Sequence, residues 1–251
     1  MKISDNLSFE QQFLILSNMN NETIGMSAEK AICDLCNLEN SIGENRYNDN
    51  ILIKIFDSNL MDVFNKKNIW PKEHIGGENG KTDFICNDDK TLSLKTLKKN
   101  DGKICPQEGQ PTYKSFHTHN PSCPIPDKNC SRVEANTIRW NWIKSNIGDY
   151  LNKMQKQTFC CDYLLLIRNC ETKPKAEILK NNNIDFNNII IEYTNETYKE
   201  EPHKKKIGEL TEFGCTVKGI IDSEKKRIGE FQFHYKSRSA VKFRFYNSLF
   251  N

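Results

Sequence analysis

Apolar residues recur at helical spacing in some stretches of the chain and alternate with polar ones in others. These two periods divide it into expected helices and strands. Residues 8–19 read as a short helix. A second helix is expected to open with Ser27 as N-cap and Glu29 in its first turn, with Ile32, Leu35 and Cys36 on one stripe. A third covers Ile51 to Asn65. A long one runs from about Val133 to Gln155, with Ile143, Ile147, Tyr150, Leu151 and Met154 on one side. The glycine turn Gly76-Gly77-Glu78-Asn79-Gly80 leads into Lys81-Thr82-Asp83-Phe84-Ile85-Cys86. After a turn at residues 87–90, Thr91-Leu92-Ser93-Leu94-Lys95 completes a β-hairpin. Phe159 to Ile167 predicts a strand whose Leu164–Ile167 run is buried on both faces. Ile189–Ile191 predicts another strand. From Ile207 onward the pattern is an antiparallel meander with turns near Gly214 and at Asp222-Ser223-Glu224.

The expected fold class is therefore mixed α/β (α+β): a central mixed sheet flanked by helices, followed by a C-terminal antiparallel β-rich part. A soft division falls in the proline-rich loop around residues 117–130, giving a first part, 1–116, and a second, 117–251, that completes the same fold. With 251 residues, 27% charged and 37% apolar, the chain is long enough for a real core and too apolar to be disordered. No run approaches 18 apolar residues, so no transmembrane helix and no membrane partner are expected. The start, MKISDNLSFEQQ, lacks an apolar run behind a basic end, which predicts a cytoplasmic protein. Its ten cysteines are then read as reduced thiols, with Cys33 and Cys36 as core residues.

Charge adds a direction. The net charge is only +3, but from Lys225 to the end seven basic residues face one acid, Glu230. Lys95, Lys98, Lys99 and Lys103 form a second cluster. Two basic patches on a near-neutral body suggest a polyanionic partner; the plain alternative is a solvated lysine-rich face.

The hairpin holds the most informative chemistry. On a strand, Ser93 and Lys95 share one face while Leu94 points the other way, and Asp83 on the facing strand can lie opposite that pair. An acid, a polar group and a lysine so placed suit phosphodiester hydrolysis. The acid binds a divalent metal, and the lysine positions water and steadies developing charge.

Gly80-Lys81-Thr82-Asp83 ahead of a strand, followed by Ser93-Leu94-Lys95, resembles the PD-(D/E)xK nucleases, specifically the type II restriction endonucleases related to MspI, small monomeric four-base cutters. The resemblance implies a restriction-endonuclease-like core and Mg²⁺-dependent hydrolysis of double-stranded DNA at a short specific site, by a monomer or homodimer. It implies Asp83 as metal ligand, Lys95 as the group that positions water, Ser93 in place of the usual second acid, and Glu29 reaching the site from an upstream helix. Ser93 then acts through water, or the Leu94 backbone carbonyl and a DNA phosphate complete the metal shell.

DNA contacts are expected from two regions. Lys98, Lys99, Lys103, Gln107 and Gln110 follow the hairpin in a glycine-containing segment that otherwise reads as a mobile surface loop. Gln232, His234 and Lys236 share one face of a C-terminal strand, followed by Arg238 and Lys242; the alternative is a solvent-facing strand. His117, His119, Cys123 and Cys130 can hold a structural Zn²⁺, although their spacing matches no named signature. His74 and His203 are assigned no role. Two rival functions share these features: a non-specific or repair-type DNA nuclease of the same fold, and a non-catalytic DNA-binding protein in which Ser93 marks a decayed site.

Overall fold

Asn20 starts the first helix. Its side-chain oxygen accepts the Thr23 N–H at 2.7 Å, and helix α1 runs Asn21–Cys36. A computed structural model of the chain describes residues 20–39, 50–76, 82–107, 110–199, 210–235 and 239–250. The expected helix at 8–19 lies outside them, as do Gly77–Lys81, Lys236 and Arg238. Ser27 is not the cap that its sequence position suggests. It lies mid-helix on the buried stripe with Ile24, Ala28, Ala31 and Ile32, because Asn20 already satisfies the first orphan N–H. Helix α2 spans Asn50–Lys67, close to expectation.

The described chain forms two compact units, interleaved in sequence. The first comprises the described residues within 1–102, 159–180 and 250. It contains α1, α2 and a five-stranded mixed sheet of β1 (Pro71–His74), β2 (Phe84–Cys86), β3 (Thr91–Thr96), β5 (Tyr163–Arg168) and β6 (Lys175–Leu179), in that spatial order. The hairpin forms as expected, with Phe84 opposite Leu92 and Ile85 opposite Thr91. Asp89, at φ 62°, closes the turn. Strands β3 and β5 are parallel, with Leu94 paired to Leu165. The run Leu164–Ile167 is buried on both faces, as its unbroken apolar sequence requires. Strand β5 begins at Tyr163, not Phe159. Asp162 stops to clasp Thr91, accepting both its N–H (2.9 Å) and its hydroxyl (2.7 Å), which fixes the register of the parallel pair. Leu92, Leu165 and Ile167 join Ile32, Phe56, Leu60 and Phe64 of the helices in one core.

The second unit comprises the described residues within 103–158 and 181–249. Its antiparallel sheet has the order β4 (Lys103–Ile104), β10 (Val241–Tyr246), β9 (Glu224–Tyr235), β8 (Leu210–Ile221) and β7 (Ile191–Tyr193). The β8–β9 turn is as read: Asp222 and Ser223 both take positive φ, matching the twist of a tight hairpin. Gly214, by contrast, lies inside β8 rather than in a turn, just beyond an irregularity in the β8–β9 register. Strand β7 starts two residues later than expected, at Ile191, and Ile190 is exposed.

After the short helix α3 (Phe116–His119), the long expected helix is two: α4 (Arg132–Ser145) and α5 (Ile147–Thr158). Asn146 separates them, its N–H shared between the Trp142 and Ile143 carbonyls. Helix α4 opens on a reciprocal Ser131–Glu134 capping box. It buries Trp140 against Tyr193, Phe213, Phe231 and Phe233, with ring centroids 5.3–6.2 Å apart. No helix among the described residues is long and apolar enough to cross a membrane.

Candidate active site

The start of strand β2 and the exposed side of α1 meet within the first unit. Glu22, Gly25, Met26 and Glu29 recur at three-, four- and seven-residue spacing, so they share one face of α1. With Asp83, Leu94 and Thr96 they line a cavity of about 200 Å³.

Asp83 immediately precedes Phe84, the first residue of β2 and the partner of Leu92 on β3. Its N–H donates to the Leu92 carbonyl at 3.0 Å, and its Oδ2 accepts the Leu94 N–H at 2.6 Å. The carboxylate thus continues the ladder beyond β2 and lies at the edge of β3. Burial pushes its pKa up, and the Glu29 carboxylate adds to the effect; the Leu94 N–H, Lys95 and His74 act the other way. Glu29 is joined to His74, whose Nε2 lies 2.7 Å from Glu29 Oε1. The His74 side chain has no exposed surface, and its ring packs on Phe84 at 5.0 Å.

Asp83 and Glu29, the two acids that the resemblance assigns to one site, both line this cavity. Strand alternation deals differently with the Ser-Leu-Lys run. Leu94 and Thr96 face the cavity, so Ser93 and Lys95 share the opposite face of β3. Ser93 is fully buried and hydrogen-bonded to Cys161. Lys95 lies near enough for its charge to act on Asp83. Asp83, at the strand edge, thus has Glu29 on one side of the sheet and Lys95 on the other.

The donor set can be tested against a divalent cation. Asp83, Glu29 and the Leu94 carbonyl are hard oxygen ligands. A buried carboxylate whose ionisation is opposed by burial and by a second acid is relieved by such an ion. Among the described residues no three His, Cys, Asp or Glu side chains are grouped to hold a metal. Two carboxylates are the kind of partial ligand set with which a cation that keeps several waters, such as Mg²⁺, is held. His117 Nδ1 is 3.2 Å from the Cys123 carbonyl, and His119 Nδ1 is 2.8 Å from the Ser115 carbonyl. Cys123 is buried and Cys130 half-buried.

The residues expected to meet DNA have varied surroundings. Gln110 gives both ends of its amide to Phe243, donating to its carbonyl (2.6 Å) and accepting from its N–H (3.0 Å). This fills a gap in the β10 ladder. Gln107 is half-buried, its N–H bonded to the Gln157 carbonyl. Lys98 pairs with Glu171 at 3.4 Å, whereas Lys99 is exposed. Lys103 pairs with Glu230, which also takes Gln232 and, at 3.5 Å, Arg244. His234 is buried, with its N–H on the Ala240 carbonyl, rather than solvent-facing, and Lys242 is half-buried.

The mixed sheet with flanking helices is consistent with a restriction-endonuclease-like α/β fold. Over 236 residues the chain is 32% identical to the type II restriction enzyme CviAII of Paramecium bursaria Chlorella virus 1. The similarity takes in 90% of this chain and 58% of that protein, so the chain spans less than two thirds of the length of the relative it matches. No family model matches the chain, and no solved structure matches it.

His74 was not legible as part of this site. Its contact with Glu29 crosses 45 positions in sequence, and no local spacing signals it. Glu22 was passed over because the helix was expected to begin after it.

Proposed function

We propose that the chain is a type II restriction endonuclease of the PD-(D/E)xK kind that hydrolyses double-stranded DNA at a short specific site with Mg²⁺. The observation that carries this reading is the pairing of Asp83 with Glu29 around one cavity at the edge of β3. The 32% identity to a type II restriction enzyme supports it independently. The first unit supplies the hydrolytic centre. The second, with most of residues 117–251, contributes to DNA recognition, and the protein works in the cytoplasm as a monomer or homodimer.

Asp83, Glu29 and the Leu94 carbonyl would hold the metal, which when bound supplies positive charge to the scissile phosphate and lowers the pKa of a water. The Leu94 N–H holds Asp83 in its ionised, ligating orientation. The Lys95 ammonium, whose charge acts on Asp83 from the other face of β3, would orient the attacking water where the scissile phosphate crosses the strand edge and neutralise charge as it builds on the phosphate oxygens. Ser93, bonded to Cys161, supports the strand beneath the site. Exposed Lys99 and the half-buried Lys242 would meet DNA phosphates.

Incubation of the protein with phage DNA and Mg²⁺ should give discrete fragments with one common end sequence. A smear would favour the non-specific nuclease. A salt-sensitive gel shift without cleavage would favour the non-catalytic DNA-binding protein, a reading that draws on the burial of Ser93 away from the cavity.

A further inference from the structure

We infer that His74 is a positioning residue for the cation site: it fixes Glu29 in the orientation that faces Asp83. The inference rests on the nuclease reading for its purpose but on separate geometry. With Glu29 as a carboxylate, which cannot donate, His74 Nε2 is the donor of the 2.7 Å contact. The ring cannot swing away, because its side chain is fully enclosed and packed on Phe84. His74 is itself paired with Phe84 in the β1–β2 ladder, beside Asp83.

The next two residues secure the arrangement. The N–H groups of Ile75 and Gly76 both donate to the Asp83 carbonyl, at 2.9 and 3.0 Å. A Cβ at position 76 would stand 2.4 Å from Glu29 Oε1 and 2.9 Å from His74 Nε2. A side chain there would press on the Glu29–His74 pair, which must shift to admit it. Segment 74–76 thus ties the main chain of one acid to the side chain of the other.

A buried imidazole that donates to a metal-facing carboxylate is the kind of support whose loss costs ~10- to 100-fold in metal affinity. The test is calorimetric titration of the full chain with Mn²⁺, which needs no turnover, alongside the Mg²⁺ dependence of DNA cleavage. His74→Phe keeps the ring against Phe84 and removes the donor. It should bind Mn²⁺ ~10- to 100-fold more weakly and need correspondingly more Mg²⁺ for half-maximal cleavage, with the rate at saturating Mg²⁺ much less affected. His74→Gln, which returns an N–H at similar reach, should recover part of the affinity, as a merely space-filling role would not allow. Gly76→Ala, with His74 intact, should weaken Mn²⁺ binding in the same direction, and it stands in for the phenylalanine variant if that one does not fold. Wild-type Mn²⁺ affinity in His74→Phe, or in Gly76→Ala should that variant stand in for it, overturns the role of His74 and leaves the nuclease reading intact. A wild-type protein that binds Mn²⁺ at this site but never cleaves DNA overturns the nuclease reading and leaves the role of His74 standing. A wild-type protein that does not bind Mn²⁺ overturns both.

Discussion

Asp83 concentrates the strain of the site in a single carboxyl group. Burial and Glu29 raise its pKa above that of an exposed aspartate. A group whose folded pKa is raised favours the fold while protonated and loses that contribution as pH rises through the folded value. In chelator, Asp83→Asn should therefore raise the melting temperature at neutral pH, and the gain should vanish in acid, where the native carboxyl is protonated. Millimolar Mg²⁺ should stabilise the native protein and not the variant, which a melting series against pH and metal would read directly. The cysteines behave oppositely to a reactive site. Burial pushes the thiols of Cys33 and Cys86 up to about 12 and that of Cys36 to about 11. Exposed Cys105 and Cys160 should thus be alkylated well before them in a mass-spectrometric time course. Asp83 could be read from the sequence because acid and strand signals are local, whereas Glu29 came only from the family resemblance. His74 could not, since its partner is supplied by folding alone.

At the level of elements, periodicity located the hairpin, the buried strand β5 and the long hairpin β8–β9, where pattern and burial agree along many residues. It erred where one polar side chain decides a boundary. Asn20 moved the start of α1, Asn146 split a continuous apolar stripe into α4 and α5, and Asp162 delayed β5. Such caps and clasps are single hydrogen bonds that average composition hides. The capping box of α4 gives one check: Ser131→Ala should cost about 1 kcal/mol in denaturant unfolding, with no effect on metal binding. Gln110 gives another. Because its amide is spent on Phe243, Gln110→Ala should lower stability by about 1–3 kcal/mol, the cost of leaving buried main-chain groups unpaired, without relaxing the recognised DNA sequence. A changed cleavage pattern at unchanged stability would return Gln110 to base reading.

Over the whole molecule, two interleaved units place the acids in one and most of the basic C-terminal strands in the other. The uneven charge seen in the sequence is moderated by pairing: Glu230 gathers Lys103 and Arg244, Lys225 meets Glu192, and Lys226 meets Asp222 and Glu224. Composition counts such lysines as available to DNA, whereas the fold commits them to nearby acids. DNA affinity should nonetheless fall steeply with salt, and the slope of log K against log salt counts the phosphates neutralised. Lys99→Ala and Lys242→Ala should each flatten that slope by about one unit if those side chains meet phosphates.

The most direct measurement is cleavage of phage DNA in Mg²⁺ by the native protein, Asp83→Asn and Lys95→Ala side by side, with binding followed in parallel. The account predicts discrete fragments from the native protein, no cut by the aspartate variant while it still retards DNA, and severe loss in the lysine variant. Cutting at the native rate by either variant would contradict it.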